Sequence, residues 1–260
     1  MTETRTLPDY ANPPVVEVAV SVYFKPLRGF KTAHFGEFWA LHKDDFPAVD
    51  DQPPILEAAP PQIMDLPPLR RVFLLNAAGT YLLQMQADLF AYNWRKIPSS
   101  EVYPHFDSIR KSFESRWKSF QEFVTHHRLG PLELIRYEVT YVNQFRESAG
   151  AFPMALERYS HLIRLHRGGP EYILPAPFGL AAQLQFHIPD DQGTLRVSFK
   201  HGTRIEDKAD VMQVDVTAVT NAKQDGSDLS EWLETAHKWI VTGFTDLTSS
   251  EAHKLWGRTI

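Results

Sequence analysis

The feature that most constrains this chain is that its sequence reads as one plan written twice. Val16-Glu17-Val18-Ala19-Val20-Ser21-Val22-Tyr23-Phe24 matches Tyr137-Glu138-Val139-Thr140-Tyr141-Val142-Asn143-Gln144-Phe145, each a strand-like run with Glu second and Phe last. The same offset of 121 residues, from 16 to 137, lays a helix-like stretch at 32–42 over another at 153–163. An offset of 123 lays Phe106, Ile109, Phe113, Trp117 and Val124 over Leu229, Trp232, Ala236, Ile240 and Leu247. A chain built this way has to bury two similar sets of apolar faces, which limits the architectures open to it.

Period-two alternation marks the strands and 3.6-residue spacing the helices. In the first copy, Val16, Val18, Val20, Val22 and Phe24 alternate with Glu17, Ala19, Ser21 and Tyr23, as in a half-buried antiparallel strand. A helix is expected over 32–46, a hairpin over 72–87 around Ala78-Gly79-Thr80, and a strand over 89–95. A long helix should run from about Pro104 to His127, with Phe106, Ile109, Phe113, Trp117, Phe120 and Val124 in one stripe. The second copy repeats this with a strand at 133–145, a helix at 153–166, strands at 179–188, 194–201 and 211–220, and a helix from Asp228 to Leu247. Asp228 and Glu231 suit a capping box, and Thr248 with Glu251 suits a cap on a short last helix. Between the copies' regular elements, residues 47–69 hold seven prolines and four acidic residues, as expected of a long binding loop or lid.

The expected fold is therefore α+β. It has two pseudo-repeated β-α-β-β-β-α halves, 15–131 and 132–260, with antiparallel sheet covered by one long helix from each half. Residues 1–14 are expected to form a flexible arm. Strand alternation leaves open whether the halves share one continuous saddle-like sheet or form two sheets around a cavity; the first strands of the two halves are expected to lie near each other.

Composition excludes several functions. Apolar residues make up 43% and charged residues 23%, an ordinary globular balance. With a net charge of −5 there is no bulk positive field for a phosphate backbone, so nucleic acid is disfavoured as a partner. The absence of cysteine removes disulfides, thiolate nucleophiles and sulfur-ligated metals, and fits a reducing compartment. No signal peptide or 18-residue apolar run is present, so a cytoplasmic protein is expected.

Motifs for phosphate loops, nucleophile elbows and zinc helices are missing, and no catalytic residue, cofactor or metal is expected. The eleven histidines show no metal-ligand spacing. His126 and His127 read as helix-end residues, and the doublets Asp44-Asp45 and Asp50-Asp51 as solvated edges. Two constellations carry a functional reading. Glu17 and Glu138 hold matching strand positions, and pseudo-symmetry could bring their carboxylates together to share a proton or a cation; two surface glutamates pairing with arginines such as Arg136 is the plainer and favoured alternative. Asn93-Trp94-Arg95-Lys96 with Tyr92 is the densest aromatic-basic cluster, suited to stacking or anion binding; Trp94 as the last core residue of its strand is the plainer alternative.

Pro13-Pro14-Val15-Val16-Glu17-Val18, Asn93-Trp94-Arg95-Lys96 and Tyr137-Glu138-Val139-Thr140-Tyr141-Val142-Asn143 together resemble one family. It is a sporadically distributed family of uncharacterised bacterial and archaeal proteins of about this length. The resemblance spans nearly the whole chain and brings no activity with it. A patchy distribution implies horizontally moved genes such as defence or toxin–antitoxin cargo. The leading expectation is a non-enzymatic binding protein whose ligand or macromolecular partner sits at the junction of the halves, on a concave surface rimmed by Trp94, Arg95, Tyr141 and Asn143, with Glu17 and Glu138 next. A hydrolase-like enzyme with a pocket under the 47–69 loop is the alternative, a saddle-shaped nucleic-acid binder the second alternative, and a homodimer stays open.

Overall fold

A computed structural model of the chain describes residues 7–55, 69–97, 102–146, 181–204, 207–223, 226 and 228–259. The fold is α+β, one nine-stranded antiparallel sheet and four helices among the described residues. Its elements are β1 (Val15–Phe24), α1 (Thr32–His42), β2 (Ala48–Gln52), β3 (Arg71–Leu75), β4 (Tyr81–Gln86), β5 (Leu89–Arg95), α2 (Phe106–His126), β6 (Leu134–Arg146), β7 (Ala181–Ile188), β8 (Gly193–Thr203), β9 (Asp210–Asn221), α3 (Leu229–Leu247) and α4 (Ser250–Leu255). The sheet order is β2-β3-β4-β5-β1-β6-β9-β8-β7, so β1 and β6 pair at its centre and the sheet is continuous.

The core lies on one face of this sheet. Alternation sends Val18, Val20, Val22 and Phe24 of β1 and Phe90, Tyr92 and Trp94 of β5 to that face, where all are buried. The apolar stripe of α2 lies on them: Phe120 stacks on Phe90 at 4.8 Å between ring centroids, and Trp117 lies 5.6 Å from the same ring. Phe38 of α1 closes the cluster against Phe120 and Phe123. On the other side of the centre, α3 packs on β9 and β6, with Trp232 against Tyr137 at 5.8 Å. The turn into β8 needs its glycine. Gly193 has φ +129°, and a Cβ there would meet the Val219 carbonyl oxygen at 2.1 Å.

Several expectations change. Residues 48–52, read as part of an irregular loop, form the edge strand β2 paired with β3; its pattern Ala-Val-Asp-Asp-Gln is too polar to signal a strand, but pairing satisfies its backbone. Residues 7–14 are not a loose arm. Tyr10 bridges Arg258, and the Ala11 and Asn12 amides donate to the carbonyls of Gly257 and Trp256 at 3.1 and 3.0 Å. The capping box at Asp228 does not form. Asp228 instead accepts a hydrogen bond from the Tyr137 hydroxyl at 3.0 Å, and its side chain makes no cap. Ser249, not Thr248, caps α4, accepting from the Ala252 amide. The helix expected at 153–166 and most of the 47–69 stretch (56–68) lie outside the described residues. No helix among those described is long and apolar enough to cross a membrane.

Candidate functional site

β6 alternates so that Tyr137, Val139, Tyr141 and Asn143 face the helices, opposite Val22, Val20, Val18 and Val15 of β1. α3 brings His237 over Tyr141, and helical spacing sets Ile240, Val241 and Phe244 along the same side of α3. The chain entering α2 supplies Tyr103, His105, Phe106 and Asp107. The pinned N-terminal segment adds Tyr10, Pro13 and Pro14. Between them is a cavity of about 290 Å³ at the junction of β6, α2, α3 and the N-terminal segment, close to the lower end of the size range of small-ligand sites.

Its polar groups form a chain. The Tyr103 and Tyr141 hydroxyls lie 2.9 Å apart, and the Tyr141 hydroxyl lies 2.9 Å from His237 Nδ1. The His237 ring stacks on Phe106 at 4.5 Å and 11°. Burial is the main influence on all three titrations, disfavouring whichever form is charged. It lowers His237 from 6.5 to about 4, with Asp107 opposing and Arg110 and His105 adding to the fall. It raises Tyr103, and it raises Tyr141 well above the ordinary phenol range. At neutral pH the whole chain is uncharged. Asn143, also buried, donates to the Val214 carbonyl at 3.1 Å. At the mouth, His105 holds φ 62°, a backbone conformation unusual for a residue with a Cβ and of a kind that collects at binding sites.

The six residues nominated from sequence divide between the two faces of the sheet. Tyr141 and Asn143 line the cavity. Trp94 is on the same face but fully buried behind Tyr103, ring centroids 5.4 Å apart, so it rims nothing. Arg95 points to the reverse face, donating to the Gly79 carbonyl at 3.3 Å. The aromatic-basic cluster is therefore dispersed, because consecutive strand residues face opposite ways. Glu17 and Glu138 share the reverse face but do not meet. β1 and β6 are antiparallel, so Glu17 lies opposite Val142 and Glu138 opposite Ser21, roughly 13 Å apart along the strands at about 3.3 Å per residue. Glu138 lies 3.9 Å from Arg136, the pairing that was the alternative for it.

Glu17 belongs to a different array. Arg71 Nη1 donates to Gln84 Oε1 at 3.1 Å, Gln84 Nε2 to Asn93 Oδ1 at 2.7 Å, and Asn93 Nδ2 to Glu17 Oε1 at 2.5 Å, a diagonal ladder across β3, β4, β5 and β1. Burial raises the Glu17 carboxyl despite Asn93 and Arg95 pulling it down, and it raises Asp215 on β9, which Gln213 and Ser198 oppose. Arg71, Arg95, Arg136, Arg196 and Lys200 of this face are interleaved with Glu17, Glu138 and Asp215, so it does not form the basic stripe a nucleic acid needs. The acidic doublets are engaged too, Asp45 with Arg116 at 2.5 Å and Asp51 with Arg70 at 2.9 Å.

One metal-like cluster escaped the spacing analysis: His34, Glu37 and His127 converge where α1 meets the end of α2, their ligand atoms within 4.8 Å of one another. The donor set does not suit a cation. His34 Nδ1 accepts the Lys31 amide proton at 2.7 Å, so in the neutral ring Nε2 keeps its own hydrogen and is no free ligand. His127 Nδ1 is 3.3 Å from Glu37, an ordinary helix-end pair.

Tyr103 and His237, the two functional residues not foreseen, carry weak signals. Tyr103 precedes Pro104, two residues ahead of the start of α2. His237 falls beside the stripe of Ala236 and Ile240, where a polar residue edges onto a buried face. No protein-family model, curated protein or solved structure matches this chain.

Proposed function

We propose that this chain is a binding protein rather than an enzyme, and that it holds a small molecule in the cavity between β6, α2, α3 and the N-terminal segment. The observation that carries this is the uncharged Tyr103–Tyr141–His237 chain set into a cavity that is otherwise mostly apolar, a combination typical of ligand sites. Glu17 and Glu138, the carboxylates that pseudo-symmetry could have brought together, do not meet.

The proposal includes an ancestral duplication, with the cavity at the seam. Two registers support it. In the β1–β6 pair Ala19 lies opposite Thr140, the same offset of 121 that aligns the two strands in sequence, as a two-fold axis between copies requires. α2 begins at Phe106 and α3 at Leu229, the offset of 123 found for their stripes. Outward from the centre, β1-β5-β4-β3 is then answered by β6-β9-β8-β7. A cytoplasmic setting, which a chain without cysteine fits because it needs no disulfide, completes the proposal.

Native mass spectrometry of the purified chain and of Val241→Trp, which fills the cavity, tests the proposal. A small-molecule adduct on the first and its loss from the second is the expected outcome; identical bare masses for two folded proteins overturn it. An enzymatic second reading draws on one observation, a neutral imidazole hydrogen-bonded to a phenol, which can move protons. It requires the released molecule to be chemically altered on incubation with fresh protein.

A further inference from the structure

The cavity's charge arrangement restricts what can occupy it; this rests on the proposal that it binds a ligand. Its deep wall is made of buried residues, Phe106, Tyr141, Asn143, Ile240 and Phe244, while its acidic residues, Asp9 and Asp107, are exposed at the mouth. Among the described residues, no carboxylate, lysine or arginine lines the deep end.

The hydrogen-bonding chain can be followed proton by proton. Tyr103, Tyr141 and neutral His237 hold three mobile hydrogens, and the two links at 2.9 Å use two of them. If the tyrosines donate toward the ring, Tyr103 oxygen is left as an acceptor and His237 Nε2–H as a donor. If the ring donates through Nδ1, Tyr103 O–H is left as a donor. Reversing the chain moves no charge. Its Tyr103 end can therefore offer a donor or an acceptor without ionising, which suits an oxygen that is itself uncharged.

We infer that the occupant is an uncharged, largely apolar molecule, one ring or similar in bulk, bearing a single hydroxyl or carbonyl oxygen that reaches Tyr103. The residues already present report on the alternatives. A site that keeps an imidazole from taking a proton down to about pH 4 gives no stabilisation to a buried cation, and one that holds two phenols protonated gives none to a buried anion. Anions face a second barrier in Asp9 and Asp107 at the entrance.

Benzyl alcohol, benzoate and benzylammonium share one ring and differ in charge. Each is titrated at pH 7 into the full chain and into Tyr103→Phe and Val241→Trp, and followed by shifts of the tyrosine and histidine ring signals in NMR. Benzyl alcohol is expected to bind at least tenfold more tightly than either ion, to lose most of that advantage in Tyr103→Phe, and to lose binding in Val241→Trp. Equal or tighter binding of an ion overturns the inference and leaves the cavity as a ligand site. Binding of none of the three overturns the inference, and together with a bare native mass it also removes the proposed function. An unchanged preference in Tyr103→Phe rules out that residue as the reader of the oxygen and overturns the inference in its stated form.

Discussion

On the helix-facing side of the sheet, the polar groups Tyr103, Tyr141 and His237, the second buried and the others half-buried, are neutral and end at a cavity; on the reverse side, Arg71, Gln84, Asn93 and Glu17 run strand to strand and end on a carboxylate. Burial acts on both sets and with opposite consequences. It lowers an imidazole on one face and raises carboxyls on the other, because in each case it penalises the ion. The helix-facing chain loses little by this, since all its members are uncharged at neutral pH. The ladder does lose, since Glu17 must either ionise in a half-buried place or borrow a proton. A polar array beside a cavity can be left neutral and open; one lying across strands is tied to its neighbours.

Acid unfolding separates the two faces most strongly. The folded His237 value of about 4 lies below the ordinary 6.5, so its contribution to stability is complete above pH 6.5 and is lost as pH falls toward 4. At 1.36 kcal/mol per unit, up to about 3 kcal/mol is at stake. Urea unfolding of the wild type and His237→Phe at pH 7 and pH 4 is expected to show a smaller acid loss in the variant. Parallel pH profiles would contradict the assignment of that loss to the helix-facing chain.

Cutting the ladder comes next in size. Asn93→Leu keeps the bulk but leaves Gln84 without its acceptor and Glu17 without its donor. Leaving buried polar groups unpaired costs about 2 kcal/mol, read as a lower urea midpoint at pH 7. A variant as stable as the parent means that the ladder is ornamental.

The smallest effect has the opposite sign. Glu17 has its folded value raised, so its contribution is fully present below 4.5 and is lost as pH rises through the folded value. Glu17→Gln keeps an acceptor for Asn93 and cannot ionise. Its melting temperature is expected to exceed that of the parent at pH 7 and to match it at pH 4. A loss of stability at pH 7 sinks this, since it would mean that the charge is held by Arg95 and Arg71 rather than merely tolerated.

Much of the fold was legible in local patterns. The alternation of Val18, Val20 and Val22 and the stripe from Phe106 to Val124 correctly marked β1 and α2, since a strand buried on one face and a helix on one side have no other way to distribute apolar residues. β2 was missed because an exposed edge strand needs no apolar face. Among nominated residues, Tyr141 and Asn143 reached the cavity while Trp94, Arg95, Glu17 and Glu138 did not line it. Adjacency in sequence misled at Trp94 and Arg95, where successive residues point apart. Equivalence between the proposed copies misled at Glu17 and Glu138, where antiparallel pairing carries matching positions to opposite ends.

By itself, then, the order of residues determined most of the described strands and helices and which of their sides are apolar, because these depend on neighbours within a few positions, and its lack of cysteine excluded thiol chemistry. Only the tertiary structure decided that Tyr141 meets a histidine 96 residues away and a tyrosine 38 residues away, and that Glu17 lies in a ladder with Asn93 and not beside Glu138. Such meetings follow from sheet order and strand direction, which no local period encodes.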